Sequence, residues 1–298
     1  MPEPFTLPSF AKINWFLRVL GKRDDGYHEL CTLFQTVSLC DRLTFAESDE
    51  LLFECDEPFI PTGSENLIVN AARELQTHYG LRRGARIFLE KRIPSPGGLG
   101  GGSSNAAVAL IGLAKLWELE INLSDLLPIA GRLGSDVPFF LYGGTALGTG
   151  RGEVIEAVKD ICEQFLLLVT PHAAVATGEV FSRIEAASLT KAAPESILRV
   201  CRLTAESGDL RNKTLANDLE AIVFQAFPEI AGVKNTVLSL GAAQAIMSGS
   251  GASVLAIFDK EETRQAAIKA LDIESTWRKF AVATISRNEY REALSLAY

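Results

Sequence analysis

A chain of 298 residues with 47% hydrophobic, 22% charged and 8% aromatic residues has the balance of an ordinary globular protein, which excludes disorder, collagen and coiled coil. Its 29 Lys and Arg against 37 Asp and Glu give a formal charge of -8, the wrong sign for binding nucleic acid through its phosphates. At ~150 residues per domain the length predicts two domains or one large one.

Five scattered cysteines without a C-x-x-C pair predict reduced thiols and a cytoplasmic location. Three histidines (His28, His78 and His172) without ligand spacing predict no all-protein transition-metal site. The start Met1-Pro2-Glu3-Pro4-Phe5 carries neither a basic nor an apolar signal, and no uncharged apolar run approaches ~18 residues, so neither secretion nor a membrane is expected.

Along the chain, Ala11–Leu20 alternates, with Ile13, Trp15, Leu17 and Val19 on one face and Lys12, Asn14, Phe16 and Arg18 on the other. This predicts a half-buried strand. An Asp24-Asp25-Gly26 turn and apolar runs at Leu33–Leu39 and Leu43–Phe45 extend a β-rich opening. Leu67, Ala71, Leu75 and Tyr79 recur at helical spacing behind Ser64-Glu65-Asn66, predicting a helix over 66–79. Arg86–Ile93 reads as a strand; a glycine-rich run follows, then an apolar helix over Ser104–Leu119 whose start Ser103, Ser104 and Asn105 mark. Gly148-Thr149-Gly150-Arg151-Gly152 suggests anion contact but reads first as a turn between strands.

The pattern changes near residue 160, dividing the chain into 1–160 and 161–298. The second part opens on a buried strand at Phe165–Val169 and continues with helical stretches about Ile197–Leu203 and Ala216–Phe227. A strand-loop-helix unit near Ala245–Ala252, a strand at Ser253–Phe258 and a helix at Glu261–Leu271 complete it. The sum is a two-domain α+β protein.

The most informative segment runs through Pro96, Gly97, Gly98, Leu99, Gly100, Gly101, Gly102, Ser103, Ser104, Asn105 and Ala106, between a predicted strand and a predicted helix. Glycines let backbone N–H groups converge, and a helix N-terminus adds partial positive charge, so the segment suits a polyphosphate. It is neither a Walker A loop, since no Lys follows Gly102, nor a G-x-G-x-x-G dinucleotide fingerprint.

This segment resembles the second motif of the GHMP kinases. Ala11-Lys12-Ile13-Asn14 resembles their first motif, and Ser248-Gly249-Ser250-Gly251-Ala252 their third. Gly26-Tyr27-His28-Glu29-Leu30 and Gly134-Ser135-Asp136-Val137-Pro138 are similar to the branch whose acceptor is a cytidine diphosphate-linked methylerythritol, an isoprenoid precursor. The resemblance runs from about Lys12 to Gly144, with Thr177, Phe181 and the third motif beyond. It implies an N-terminal ribosomal-protein-like α+β domain, a C-terminal ferredoxin-like domain, ATP with Mg²⁺, and transfer to the 2-hydroxyl of the acceptor by a monomer or homodimer.

Residue by residue, the resemblance implies Lys12 and Asp136 as the catalytic pair. Phosphoryl transfer needs a cation against the phosphate oxygens and a carboxylate that takes the acceptor's proton. It implies Asn14 at the acceptor polyol, cytosine stacked between Tyr27 and Phe181, His28 on the base edge, and Thr177 at the substrate diphosphate. From the residues alone, Lys12 reads equally as a solvated strand lysine, Asp136 as a helix N-cap, Asn14 as a surface residue, Phe181 as core and Thr177 as turn chemistry. Pro96 stands where the family commonly has glycine, so the first turn of the cradle must accept a fixed φ and one N–H fewer. Other readings are a kinase of homoserine or a sugar, or a nucleotide-binding module without turnover.

Overall fold

The computed structural model describes residues 3–184, 194–207 and 215–296. Its first layer is built on a long hairpin: β1 (Phe5–Lys22) pairs antiparallel along its length with β2 (His28–Ala46), across the turn at Asp24–Gly26. The separate apolar runs predicted at 33–39 and 43–45 are one strand. β3 (Leu51–Cys55), β4 (Ala85–Glu90) and the two-residue β8 (Ala216–Asn217) complete the order β3-β4-β2-β1-β8, while β5 (Thr145–Gly150) pairs with β2 and β6 (Val154–Ala157) with β5.

The pairing of β1 with β2 shifts register between Phe10 and Ala11, Asn14 and Phe16, and Val19 and Gly21. Such irregularities re-aim side chains. Phe16, predicted beside Lys12 and Asn14, packs instead with Ile13 and Trp15 in the interior.

Helix α1 (Leu67–Tyr79) forms where predicted, its first turn capped by Asn66, whose Oδ1 accepts from Ile68 N at 2.8 Å. α2 (Gly101–Leu116) is buried on nearly every side, as an all-apolar helix must be. Its N-cap is Gly100 at φ 67°, not the Ser103–Asn105 group, which lies inside the first turns. α3 (Leu123–Leu133) and α4 (Phe139–Tyr142) close the first core, where α2 meets Phe45, Ile87, Phe139 and Phe140.

The second layer is an antiparallel sheet ordered β11-β7-β10-β9, from β7 (Leu166–Thr170), β9 (Gln244–Met247), β10 (Val254–Ile257) and β11 (Arg278–Val282). Helices α5 (Thr177–Ser182), α6 (Pro194–Ser207), α7 (Glu220–Ala226), α8 (Pro228–Ser239), α9 (Glu261–Ala270) and α10 (Arg287–Ala293) accompany it. The architecture is α+β. The predicted helical stretch 216–227 is β8 followed by α7, and the predicted strand-loop-helix at 245–252 is β9 and a loop without a helix, where Gly249 and Gly251 take positive φ. Two late segments return to the first layer. β8 pairs parallel with β1, and Tyr290 of α10 is fully buried in the first core, its hydroxyl donating to Phe140 O.

Candidate active site

A cleft of about 820 Å³ opens between the layers, walled by β1, the glycine loop, the Ser135–Asp136 turn, the β5–β6 turn, α5 and the β9–β10 loop. That volume is at the upper end of the range for small-molecule sites.

Lys12 reaches it from β1. Its backbone N–H donates to Leu99 O at 2.9 Å, so strand and glycine loop are held together at the lysine itself. Its Nζ donates to Asn14 Oδ1 at 2.7 Å and stands 3.6 Å from Asp136 Oδ2, with Phe34 beneath it. Lys12 is 3% exposed, and this burial holds its pKa below that of an ordinary lysine, with Asp136 opposing. Asn14 is oriented in turn. Its Nδ2 donates to Thr32 Oγ1 at 2.7 Å, and that hydroxyl donates to Phe16 O. Asp136 sits on the turn between α3 and α4, anchored by the fully buried Val137, and its side chain is 32% exposed to the cleft.

The glycine loop is fastened from outside. Gly97 O accepts from Ser253 N, Gly98 O from Ser248 Oγ at 3.0 Å and Leu99 O from Lys12 N. Three carbonyls that would repel an anion are thereby occupied. Gly98 has φ +69°, and a Cβ on it would lie 2.2 Å from Ser248 O; only glycine permits that approach.

Pro96, Gly97, Gly98, Leu99, Gly100, Gly101, Gly102 and Ser103 all line the cleft. Ser104, Asn105 and Ala106 do not, which corrects their place in the predicted cradle. Ser104 is fully buried and accepts from Ser9 Oγ at 2.8 Å, Asn105 Nδ2 donates to the buried Asp41 at 3.0 Å, and Ala106 is core. One turn into a helix, successive residues rotate ~100° apart, so the polar sequence continues past the point where its side chains face the ligand side.

At the other end, Tyr27, His28, Thr177 and Phe181 also line the cleft. The Phe181 ring lies 5.7 Å from that of His28, and the Arg151 guanidinium 4.7 Å over the exposed Tyr27 ring. Burial, with Lys22 adding to it, holds the His28 pKa below that of an ordinary histidine. Thr177, the first residue of α5 rather than part of a loop, shares a hydrogen bond with Ser250 Oγ at 2.8 Å. Sequence reasoning missed Thr32 and Arg151. The second lies in a stretch read as a turn with anion contact as the other reading; Gly148–Gly150 of that stretch belong to β5, while Arg151 sits between β5 and β6 and faces the cleft.

For the metal, the described residues hold no cluster of three or more His, Cys, Asp or Glu side chains. The oxygen groups on the cleft near the glycine loop include the Ser95, Ser103, Ser135 and Ser250 hydroxyls and the Asp136 carboxylate. That set fits Mg²⁺ carried in on phosphates, which takes one or two protein oxygens and keeps water. Among the described residues no helix is long and apolar enough to cross a membrane.

A glycine loop at a helix N-terminus, facing a buried lysine and a carboxylate, has the layout of an ATP-dependent phosphotransferase. Residues 66–144 match the GHMP kinases N terminal domain and residues 194–275 the GHMP kinases C terminal domain. The 4-diphosphocytidyl-2-C-methyl-D-erythritol kinase of Syntrophotalea carbinolica is 40% identical over 95% of this chain and 99% of its own. A crystal structure of 4-(cytidine 5'-diphospho)-2C-methyl-D-erythritol kinase superposes with a TM-score of 0.74 at 33% identity, covering 94% of this chain and 99% of that one. The homoserine kinase of Cytophaga hutchinsonii, at 21% identity and TM-score 0.72 over 97% of both chains, shares the fold. The chain belongs to the GHMP kinases, ATP-dependent small-molecule kinases, and within them to the family of its 4-diphosphocytidyl-2-C-methyl-D-erythritol kinase relatives.

Proposed function

We propose that this chain transfers the γ-phosphoryl group of ATP to the 2-hydroxyl of 4-diphosphocytidyl-2-C-methyl-D-erythritol, in the non-mevalonate route to isoprenoid precursors. The observation that carries the reading is the Lys12–Asp136 pair, 3.6 Å apart at the junction of the glycine loop and the cleft. Asp136 accepts the proton of the attacking hydroxyl and orients its oxygen. Lys12 sets a positive charge against the phosphate oxygens as charge moves across them. Asn14, with Oδ1 committed to Lys12 and one Nδ2 hydrogen to Thr32, keeps its other amide hydrogen for the acceptor polyol.

The glycine loop from Pro96 to Ser103 binds the ATP phosphates, and Mg²⁺ arrives with them. The Ser103 hydroxyl and the Asp136 carboxylate would hold the metal, which when bound would offset phosphate charge. Tyr27 and Phe181 take the cytosine ring between them, and the His28 imidazole reads its edge. Thr177 lies toward the diphosphate. Five free thiols suit the cytoplasm.

The test is ADP release with Mg-ATP, comparing the diphosphocytidyl methylerythritol with homoserine, mevalonate and galactose. Turnover on the first alone is expected. Asp136→Asn should lower kcat by ~10²–10⁴ while affinity for metal-free ADP stays nearly unchanged; full activity in that variant, or preference for another acceptor, overturns the reading.

A further inference from the structure

The glycine loop and the β9–β10 loop meet backbone to backbone, and a single buried amide holds that junction from behind. It belongs to Asn217, which pairs with Leu17 at the end of β8 and is 6% exposed. Asn217 Nδ2 donates to Met247 O at 2.8 Å and to Gly249 O at 2.7 Å, while Oδ1 accepts from Leu219 N at 3.0 Å. Both amide hydrogens are spent on the loop and the carbonyl on the entry to α7. Glu220 accepts from Met247 N at 2.8 Å and is paired with Lys234, fastening the end of β9 to the same helix.

On its other side the clamped loop touches the chemistry. Ser248 Oγ donates to Gly98 O, and a Cβ on Gly249 would lie 3.1 Å from Lys12 Nζ and 3.5 Å from Asn14 Oδ1. Gly249 thus lies so near the lysine ammonium that a single added carbon would crowd it, and a shift of this loop would change the space beside Lys12. Two carbonyls need two N–H donors and the Leu219 N–H needs an acceptor; of the side chains of this size only asparagine supplies all three. Asn217 itself does not line the cleft.

We propose that Asn217 is a positioning residue for phosphoryl transfer: by fixing Met247 O and Gly249 O it sets the Ser248–Ala252 loop, and through that loop the placement of Lys12 and of the glycine loop. This rests on the function proposed above.

The test uses Asn217→Asp in the full chain. The carboxylate keeps the Leu219 bond but turns an anion toward two carbonyl oxygens. Steady-state kinetics should show kcat down and KM for ATP up, each at least ~10-fold, since misplacement of ~1 Å can cost 10²-fold. KM for the cytidine-bearing acceptor, whose base is held at the far end by Tyr27 and Phe181, rises less than KM for ATP. Ser286→Ala removes the N-cap of α10, which does not line the cleft, and serves as the comparison for lost stability alone, with both KM values unchanged. A variant whose kcat falls only with its folded fraction, at constant KM for ATP, overturns the proposal, as does unchanged kinetics.

If Asn217→Asp does not fold, Asn217→Ser, which removes the clamp without adding charge, is measured in its place. Failure of both to fold also overturns it, since the residue then serves the fold. ADP binding by calorimetry needs no acceptor: wild type that binds ADP, with binding weakened ~10-fold in the variant, supports the clamp even where the acceptor panel refutes the function.

Discussion

Replacing Lys12 by methionine separates what the site does from what it costs. The ammonium is buried, with one amide oxygen at 2.7 Å and a carboxylate at 3.6 Å as partners. Taking such an ion out of water costs several kcal/mol even after relaxation. A hydrogen bond involving a charged group returns ~1.5–3 kcal/mol, and an ion pair at that distance with a partly exposed partner returns little more. Methionine fills similar volume without charge, and Asp136, 32% exposed, keeps its water when unpaired. Unfolding free energy should therefore rise by ~1–2 kcal/mol at pH 7, or ~2–6 °C in Tm for a chain of this length, while turnover falls ~10²–10³-fold.

The sign with pH follows from the depressed pKa. Between that lowered value and 10.5 the unfolded lysine holds a proton that the native one has lost, so wild-type stability rises with pH across this window. The advantage of Lys12→Met is thus largest near neutrality and shrinks toward pH 10.5. Urea melts at pH 7 and pH 10, beside ADP-release assays, read both quantities. A variant less stable than wild type at pH 7, or one that retains turnover, refutes the reasoning.

Gly98→Ala should weaken ATP binding at least ~10-fold and lower Tm, because its Cβ would press on the backbone oxygens of Ser248 and Gly251 at a φ that costs an L-residue ~1 kcal/mol or more. Gly102→Ala, whose Cβ would meet nothing closer than Leu67 at 3.8 Å, should keep or slightly raise Tm; calorimetry with ADP and thermal melts check the pair. Tyr27→Ala should raise KM for the cytidine acceptor ~5–150-fold, the worth of one stacked base. Its Tm should move by less than ~1 °C, since the ring is 55% exposed; an unchanged acceptor KM removes Tyr27 from base recognition.

What the sequence made legible was local. The spacing of Leu67, Ala71 and Leu75 behind Asn66 specifies α1, because a capped apolar stripe has few alternatives, and the glycine run marks the cradle. The inner end of that cradle was not legible: Ser104 and Asn105 are the residue types that bind anions, and only the helical rotation that sends them to Ser9 and Asp41 shows otherwise. β5 escaped because Thr145–Gly150 carries two glycines and lacks the β-branched runs that signal strands.

Asn217 was the least legible of all. It lies in a two-residue strand without periodicity, and its three partners, Met247, Gly249 and Leu219, are chosen by tertiary packing. A sequence advertises groups that face a ligand, because their chemistry is unusual for a surface. It is silent on groups that hold those in place, since a buried amide satisfying backbone looks the same whether the backbone it satisfies is idle or stands where one added carbon would come 3.1 Å from the Lys12 ammonium. The separation is therefore experimental. A residue that only supports the fold moves the amount of active enzyme, whereas one that fixes Gly249 against Lys12 moves the affinity for ATP and the rate together and the cytidine end less.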